Sequence, residues 1–432
     1  MGSKPKTKND IAWEKLFSKY NITDEVEKHG YYEIDSKKIN EFREARLMTK
    51  FDHRSNLPIL FEKNKLAILP ITRGTYIISN FEAYHDFEKP NLEVHKVTFP
   101  GFIESIEYEH ITSEAIVINT AYLTGILADF TEDEELLPTV SGRMSSEKFD
   151  FEIYNRTFKK PQSVHIESSQ LEIDGGYESP TSLALIEAKN SISDDFIVRQ
   201  LYYPYRLFNS KISKPIKPIF LIYSNGIYYL YEYSFQEPGN YNSLVLVKQK
   251  NYTLEKEDIS LDEIVEIHNK IEITEEPTGI PFPQANNFSR VVNICELLDE
   301  NETLTREEIT YKYDFDIRQT NYYTDACRYL GLVRKERDQA EGIRYFLTDK
   351  GKAIIKLHVK GRNLAFTKCI LEKRAFNEVF KMYLKTSRIP QKNEIVEVMK
   401  ISGLYNIKSL ETFERRSSTI SGWIKWILSI AK

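Results

Sequence analysis

The sequence predicts a mixed α/β body followed by a basic, mainly helical C-terminal region, and three observations carry that reading. Short β-prone runs such as LAILPI, TYIIS, KPIFLIY and GIYYLYEYSF recur through the middle of the chain, broken by Asn, Gly and Pro. Segments with helical spacing of apolar residues are interleaved with them. After the proline-rich, aperiodic EEPTGIPFPQANN the pattern turns helical and stays so. The resulting division is 1–130 for an N-terminal α+β region, 131–275 for an α/β core, 285–360 for a first C-terminal module and 361–432 for a second.

The 432 residues, 41% hydrophobic and 28% charged, have the balance of a folded chain and exclude wholesale disorder. No apolar run approaches the roughly 18 residues of a membrane span. MGSKPKTKND carries no apolar signal-peptide core, so the expected place is the cytoplasm, with no membrane partner. Three scattered cysteines make neither a disulfide framework nor a zinc spacing. The net charge of −5 hides an asymmetry: residues from Ala285 onward hold 27 Lys+Arg against 19 Asp+Glu, leaving 32 against 45 in the rest. A basic module on an acidic body suits a polyanion partner, and chance variation between domains is the plain alternative.

In chain order, residues 8–47 read as mainly helical, with Trp13, Leu16 and Phe17 at helical spacing. From Phe51 to Leu127 the expectation is short strands, AIVINTAYL among them. QLEIDGGYE and LALIEAKN are two strands separated by SPTS. DDFIVRQLYYPYRLFN is a helix opening on two Asp, ended or kinked by Pro204. Ser224-Asn225-Gly226 joins two further strands as a hairpin. SRVVNICELLDE is an amphipathic helix, and a capping box at Thr305 and Glu308 opens the next. A third helix runs from Asp316 to the terminator Gly331, and a charged ribbon follows. Helix, helix, helix, ribbon is the order of a winged helix.

The chemistry concentrates between Glu172 and Gln200. Residues two apart on a strand share a face, so Glu187 and Lys189 point the same way, and a neighbouring strand can bring Asp174 to them. Asp174, Glu187 and the Ala188 carbonyl would form an oxygen-rich seat for Mg²⁺, with Mn²⁺ as a substitute. Lys189 would orient water or steady an anionic transition state. The competing reading is a solvated charged face, but charges inside an apolar run are costly without a purpose. Glu172 either joins the metal shell or is salt-bridged. Glu152 is a candidate helix-borne acid, and Glu178 is an exposed turn residue.

This arrangement resembles the PD-(D/E)xK nuclease signature: an acid on one strand, then an acid and a lysine two apart on the next. Asp174 follows Ile rather than Pro. Gln200 resembles the glutamine that several branches carry on the following helix. Pro204 occupies the usual tyrosine place, leaving Tyr202, Tyr203 or Tyr205 to substitute.

Two basic regions are candidate DNA contacts. The third C-terminal helix would present Arg318, Gln319, Thr320, Asn321 and Tyr323 to a groove, where Arg reads guanine and Gln or Asn reads adenine. The last helix places Arg415 and Arg416 on one side, while its tryptophans read as core anchors. EFREARLMTKFDHRSNLP gathers Arg43, Arg46, Lys50, His53 and Arg54, either as a phosphate clamp or readout element or as an internal salt-bridge network.

FREARLMTKFDHRSNLPILF, LEIDGGYE with LALIEAKN, IPFPQANNFSRVVNICELL and YDFDIRQTNYYTDACRYLGL together resemble a group of bacterial type II restriction endonucleases. The resemblance implies Mg²⁺-dependent double-strand cleavage at a short DNA sequence, host DNA protected by a partner methyltransferase, and Asp174, Glu187 and Lys189 as the nuclease motif. A symmetric target would favour a homodimer. Two alternatives remain: a nuclease selecting DNA structure or damage, and a DNA-binding regulator with an inactive nuclease fold.

Overall fold

The apolar runs in the middle of the chain assemble into one seven-stranded mixed sheet in the computed structural model, which describes residues 6–338 and 342–431. Its order is Val94–Lys96, Leu244–Thr253, Ile227–Phe235, Ile216–Ser224, Leu183–Lys189, Gln170–Glu178, Leu137–Ser145. Neighbours are antiparallel except at two places, where Leu183–Lys189 runs parallel to Ile216–Ser224 and Leu244–Thr253 parallel to Val94–Lys96. A parallel pair cannot be closed by a tight turn, and the helix Arg199–Asn209 supplies the crossover for the first.

Burial on both faces explains why these central strands read as unbroken apolar runs. Leu183 and Leu185 share one core with Phe220, Ile222, Leu201 and Tyr202. Ala184, Ile186 and Ala188 point the other way, into a core with Ile219, Leu221 and with Val117, Ile118 and Ala121 of the helix Glu114–Leu123. The Asn225–Gly226 turn has positive φ at both residues, as a two-residue hairpin demands.

Around the sheet, the first 80 residues pack helices Lys8–Tyr20 and Ile22–His29 on a small three-stranded sheet, with Trp13, Phe17 and Phe61 inside. The C-terminal region runs helix Phe288–Asn301, strand Leu304–Thr305, helices Arg306–Lys312 and Ile317–Tyr329, and strands Val333–Asp338 and Gly342–Leu347. The capping box expected at Thr305 with Glu308 forms, and a further one joins Asp316 with Gln319. The turn of its ribbon, residues 339–341, lies outside the described residues. Among the described residues five further helices follow, ending with Leu410–Ser429, whose Trp423 donates Nε1–H to the Ala285 carbonyl at 2.6 Å. One apolar core runs from Val291 and Ile309 through Phe366 and Phe376 to Trp423 and Ile427, across the expected boundary at residue 360.

Two expectations for local structure are corrected. AIVINTAYL is helical, because Ser113 caps the Ile116 amide and the helix lays Val117, Ile118 and Ala121 onto the sheet. DDFIVRQ does not open a helix at its aspartates: Asp195–Ile197 is a short strand paired with Tyr84–Asp86, and the helix begins at Arg199. That helix then continues through Pro204 to Asn209. Among the described residues, no helix is long and apolar enough to cross a membrane.

Candidate active site

The Gln170–Glu178 and Leu183–Lys189 strands form a hairpin in which Ile186 pairs with Gly175, so Asp174 and Glu187 face one another one step beyond. The ladder stops there. The Ala188 amide is satisfied instead by the Asp174 side chain, donating to Oδ2 at 2.8 Å. Lys189 Nζ donates to Glu187 Oε1 at 2.6 Å and to the Ala188 carbonyl at 2.9 Å. Gln200, near the start of the following helix, donates Nε2–H to the same Glu187 oxygen at 2.7 Å. Four residues spread over 27 positions thus meet at the end of one hairpin.

A fifth group was not legible in the sequence. Glu114 opens the helix Glu114–Leu123 and brings Oε1 to 3.8 Å from Lys189 Nζ. Glu152, expected as the helix-borne acid, is corrected: it lies exposed on the strand Phe149–Asn155. Glu172 is ion-paired with Arg143 at 3.3 Å, and Glu178 with Lys214 at 2.5 Å. All three candidate tyrosines are buried: Tyr202 and Tyr203 bond the Pro238 and Pro70 carbonyls, and the Tyr205 ring packs at a tilt against Phe235.

The site holds more acid than base. Burial pushes the Glu187 carboxyl up to about 7, a rise that Lys189 opposes and Asp174 and Asp52 reinforce. Burial also raises Glu114, against the pull of Lys189. For Lys189, burial works against the charge, but Glu187, Glu114, Asp174 and Asp52 outweigh it and hold the ammonium protonated far above the usual range. Asp52 is buried too, yet Lys50, Lys189, Arg199 and His53 keep its carboxyl below the usual value. The oxygens available there are the carboxylates of Asp174 and Glu187 and the Ala188 carbonyl, with Glu114 meeting the group through Lys189. That chemistry fits a hard divalent cation such as Mg²⁺. Lys189 Nζ sits on two of those acceptors.

The N-terminal basic segment divides in two. His53 is corrected as a DNA contact: it is 2% exposed, with Nδ1 2.6 Å from the Asp195 carbonyl oxygen. Arg54 pairs with Asp86 and, at 3.1 Å, with Asp195. Arg43 pairs with Glu307 of the C-terminal region at 2.9 Å. These three belong to the internal network that was the alternative for this segment. Arg46 and Lys50 are exposed, and Lys50 stands beside Asp52.

In the C-terminal region, Arg318 and Arg415 are exposed and Asn321 is half-buried. Gln319 is half-buried too, and its Oε1 closes the capping box at Asp316. Tyr323 and Thr320 are corrected: both are buried, Tyr323 against Phe315 and Thr320 in a hydroxyl pair with Thr310. Arg416 is half-buried, and both Arg415 and Tyr322 act on its charge, so the last helix and the Ile317–Tyr329 helix converge.

His53, Asp195 and Asp314 bring potential ligand atoms within 4.8 Å of one another. Their carboxylates already have cationic partners, Arg54 on Asp195 and Arg290 on Asp314 at 3.0 Å, so the group reads as a charged junction rather than a metal centre.

Three family models match the chain in succession, each described as a domain of unknown function: DUF6996 over residues 10–78, DUF6997 over 79–253 and DUF7226 over 290–432. The second takes in the whole carboxylate–lysine hairpin, and the third spans both expected C-terminal modules as one. No curated protein and no solved structure matches the chain.

Proposed function

We propose that the chain is a Mg²⁺-dependent nuclease of double-stranded DNA with a PD-(D/E)xK-type core, cutting at a short specific sequence as a type II restriction endonuclease does. One observation carries the reading: the Glu187 oxygen shared by Lys189 Nζ and Gln200 Nε2, with Asp174 on the facing strand capping the next amide. A salt bridge kept only for stability would not need a second acid on one side and a glutamine on the other.

Asp174, Glu187 and the Ala188 carbonyl would hold the ion, with Glu114 beside them. When bound, such an ion lowers the pKa of its water and neutralises charge on the phosphate. Lys189, held protonated, orients the attacking water and offsets charge on the phosphoryl oxygens; it does not accept the proton. Gln200 fixes the Glu187 carboxylate in one orientation. Arg318, Gln319 and Asn321 on the helix of a winged-helix-like unit, together with Arg415 and Arg416, would meet the duplex, supplying affinity that falls with salt. A homodimer would set one site on each strand, and a cognate methyltransferase would protect the host sequence.

The test is digestion of unmethylated phage DNA with Mg²⁺ and with EDTA. Discrete Mg²⁺-dependent fragments are expected. A smear would keep the nuclease and remove the sequence specificity, and binding without any cleavage would point to a regulator.

A further inference from the structure

The helix Phe288–Asn301 is apolar on the side that enters the C-terminal core, yet Arg290, Asn293, Glu296 and Glu300 recur at spacings of three and four, which lines them up on one stripe. The stripe is turned onto the ends of the catalytic strands. Asn293, fully buried, donates Nδ2–H to the Asn190 carbonyl at 2.9 Å and accepts the Ile192 amide at 3.1 Å. Glu300 accepts from the Asn190 side chain. Arg290 pairs with Asp194 at 3.0 Å, and Asp314, which Arg290 also holds, accepts the Asp194 amide at 2.7 Å. Glu296 takes the Ser224 hydroxyl at 2.7 Å and the Asn225 amide at 2.8 Å, fixing the far end of the neighbouring strand.

Residues 190–198 form the connection between Lys189 and Gln200, the two groups that share the Glu187 oxygen. Its backbone is therefore held by the C-terminal region on one side. On the other it is held by the N-terminal segment, through the Asp52 carbonyl on the Ile197 amide at 2.9 Å and His53 on Asp195. Asn293 is the centre of the first grip, since one buried amide satisfies both a carbonyl and an amide of the connection. A loop clamped in this way keeps both of its ends in register with Glu187.

We propose that Asn293 is a positioning residue for the active site: the C-terminal region, besides meeting DNA, sets the geometry of Lys189 and Gln200 through the 190–198 connection. The proposal rests on the nuclease reading for its consequence in catalysis, and on the clamp alone for its consequence in local stability.

The full-length Asn293→Ala, Asn293→Ser and Asn293→Asp variants test it, with kcat on duplex DNA, DNA affinity and amide hydrogen exchange as readouts. Asn293→Ala is expected to lower kcat about 100-fold, the cost of a misplacement of ~1 Å in the chemistry, with DNA affinity within about twofold of wild type. Exchange at the Ile192 and Asp194 amides should speed up roughly tenfold or more. Asn293→Asp keeps the acceptor for the Ile192 amide but turns a carboxylate oxygen onto the Asn190 carbonyl and Glu296, so its loss should match or exceed that of alanine; Asn293→Ser, which keeps one small hydroxyl there, should fall between and carries the test alone if the alanine variant does not fold. An unchanged kcat would overturn the proposal whatever the exchange shows, as would a loss of affinity that accounts for the loss of rate. If wild-type protein cuts no duplex with Mg²⁺, the nuclease reading fails by itself. The clamp is then decided by exchange: faster at 192 and 194 supports it, unchanged removes it.

Discussion

Replacing Glu187 by Gln should remove a destabilisation of the metal-free chain that grows as the pH rises and fades as it falls. Glu187 is 9% exposed, and its carboxyl is raised from 4.5 to about 7 by burial, with Asp174 and Asp52 adding to the rise. A folded-state value above the unfolded one means that the protonated group suits the fold. Its favourable contribution is complete below about pH 4.5 and disappears as the pH climbs through 7. At pH 8 the ionised carboxylate costs the folded chain about 3 kcal/mol relative to pH 4, from 1.36 kcal/mol per pH unit of displacement. Glutamine has the same size and no titration, so the difference in unfolding free energy between Glu187→Gln and wild type should grow by about 3 kcal/mol between pH 4.5 and 8. Urea melts in EDTA at half-unit intervals would show it, since the slope with denaturant should stay constant. A pH-independent difference between the two proteins would refute the account of the site as an excess of buried acid over base. In the wild type Lys189 does not blur the window, because its own titration is displaced upward.

Three more outcomes follow from packing and charge. Arg290→Met strips the buried partner from Asp314 and Asp194 and should cost about 3–5 kcal/mol in thermal or urea unfolding at neutral pH, the range for a broken buried pair; a loss under 1 kcal/mol would mean that the junction is solvated. Gly422→Ala, although alanine favours a helix by about 1 kcal/mol, should destabilise by about 2 kcal/mol because its methyl would overlap the Asn286 carbonyl oxygen, and a rise in Tm would contradict that close approach. The double variant Arg415→Ala with Arg416→Ala should weaken DNA binding across sequences and reduce the slope of log affinity against log salt by about 2; an unaltered slope would remove the last helix from the DNA surface.

The candidate cluster was more legible than its surroundings. Asp174, Glu187, Lys189 and Gln200 could be read because each sits in a short local pattern, strand periodicity or helix start, whose geometry does not depend on distant residues. The Asn225–Gly226 turn and the capping box at Thr305 are local in the same sense. Glu114 escaped because AIVINTAYL after it is rich in β-branched residues, and only the sheet beneath it makes the helix the better solution. For His53 the sequence left a DNA contact and an internal network open, because its carbonyl partner on Asp195 is 142 positions away and nothing local decides between them. The grip of Asn293 on residues 190 and 192 spans 103 and 101 positions and has no sequence signature at all. The single C-terminal core was likewise hidden, since a winged-helix-like element order suggests a module that closes on itself, whereas Phe288 and Val291 pack with Trp423.

The central claim is that Asp174 and Glu187 seat a divalent ion that Lys189 then exploits to break a phosphodiester bond in duplex DNA. Its most direct test is cleavage of one labelled duplex substrate across a Mg²⁺ titration by wild type, Asp174→Asn and Lys189→Met, with binding of the same duplex followed in Ca²⁺. The account predicts saturable Mg²⁺-dependent cleavage by wild type, and at least a 100-fold loss in each variant with DNA binding retained, on the scale of removing an electrostatic group from a transition state. Cleavage by Asp174→Asn at the wild-type rate, or cleavage by wild type in EDTA, would contradict it.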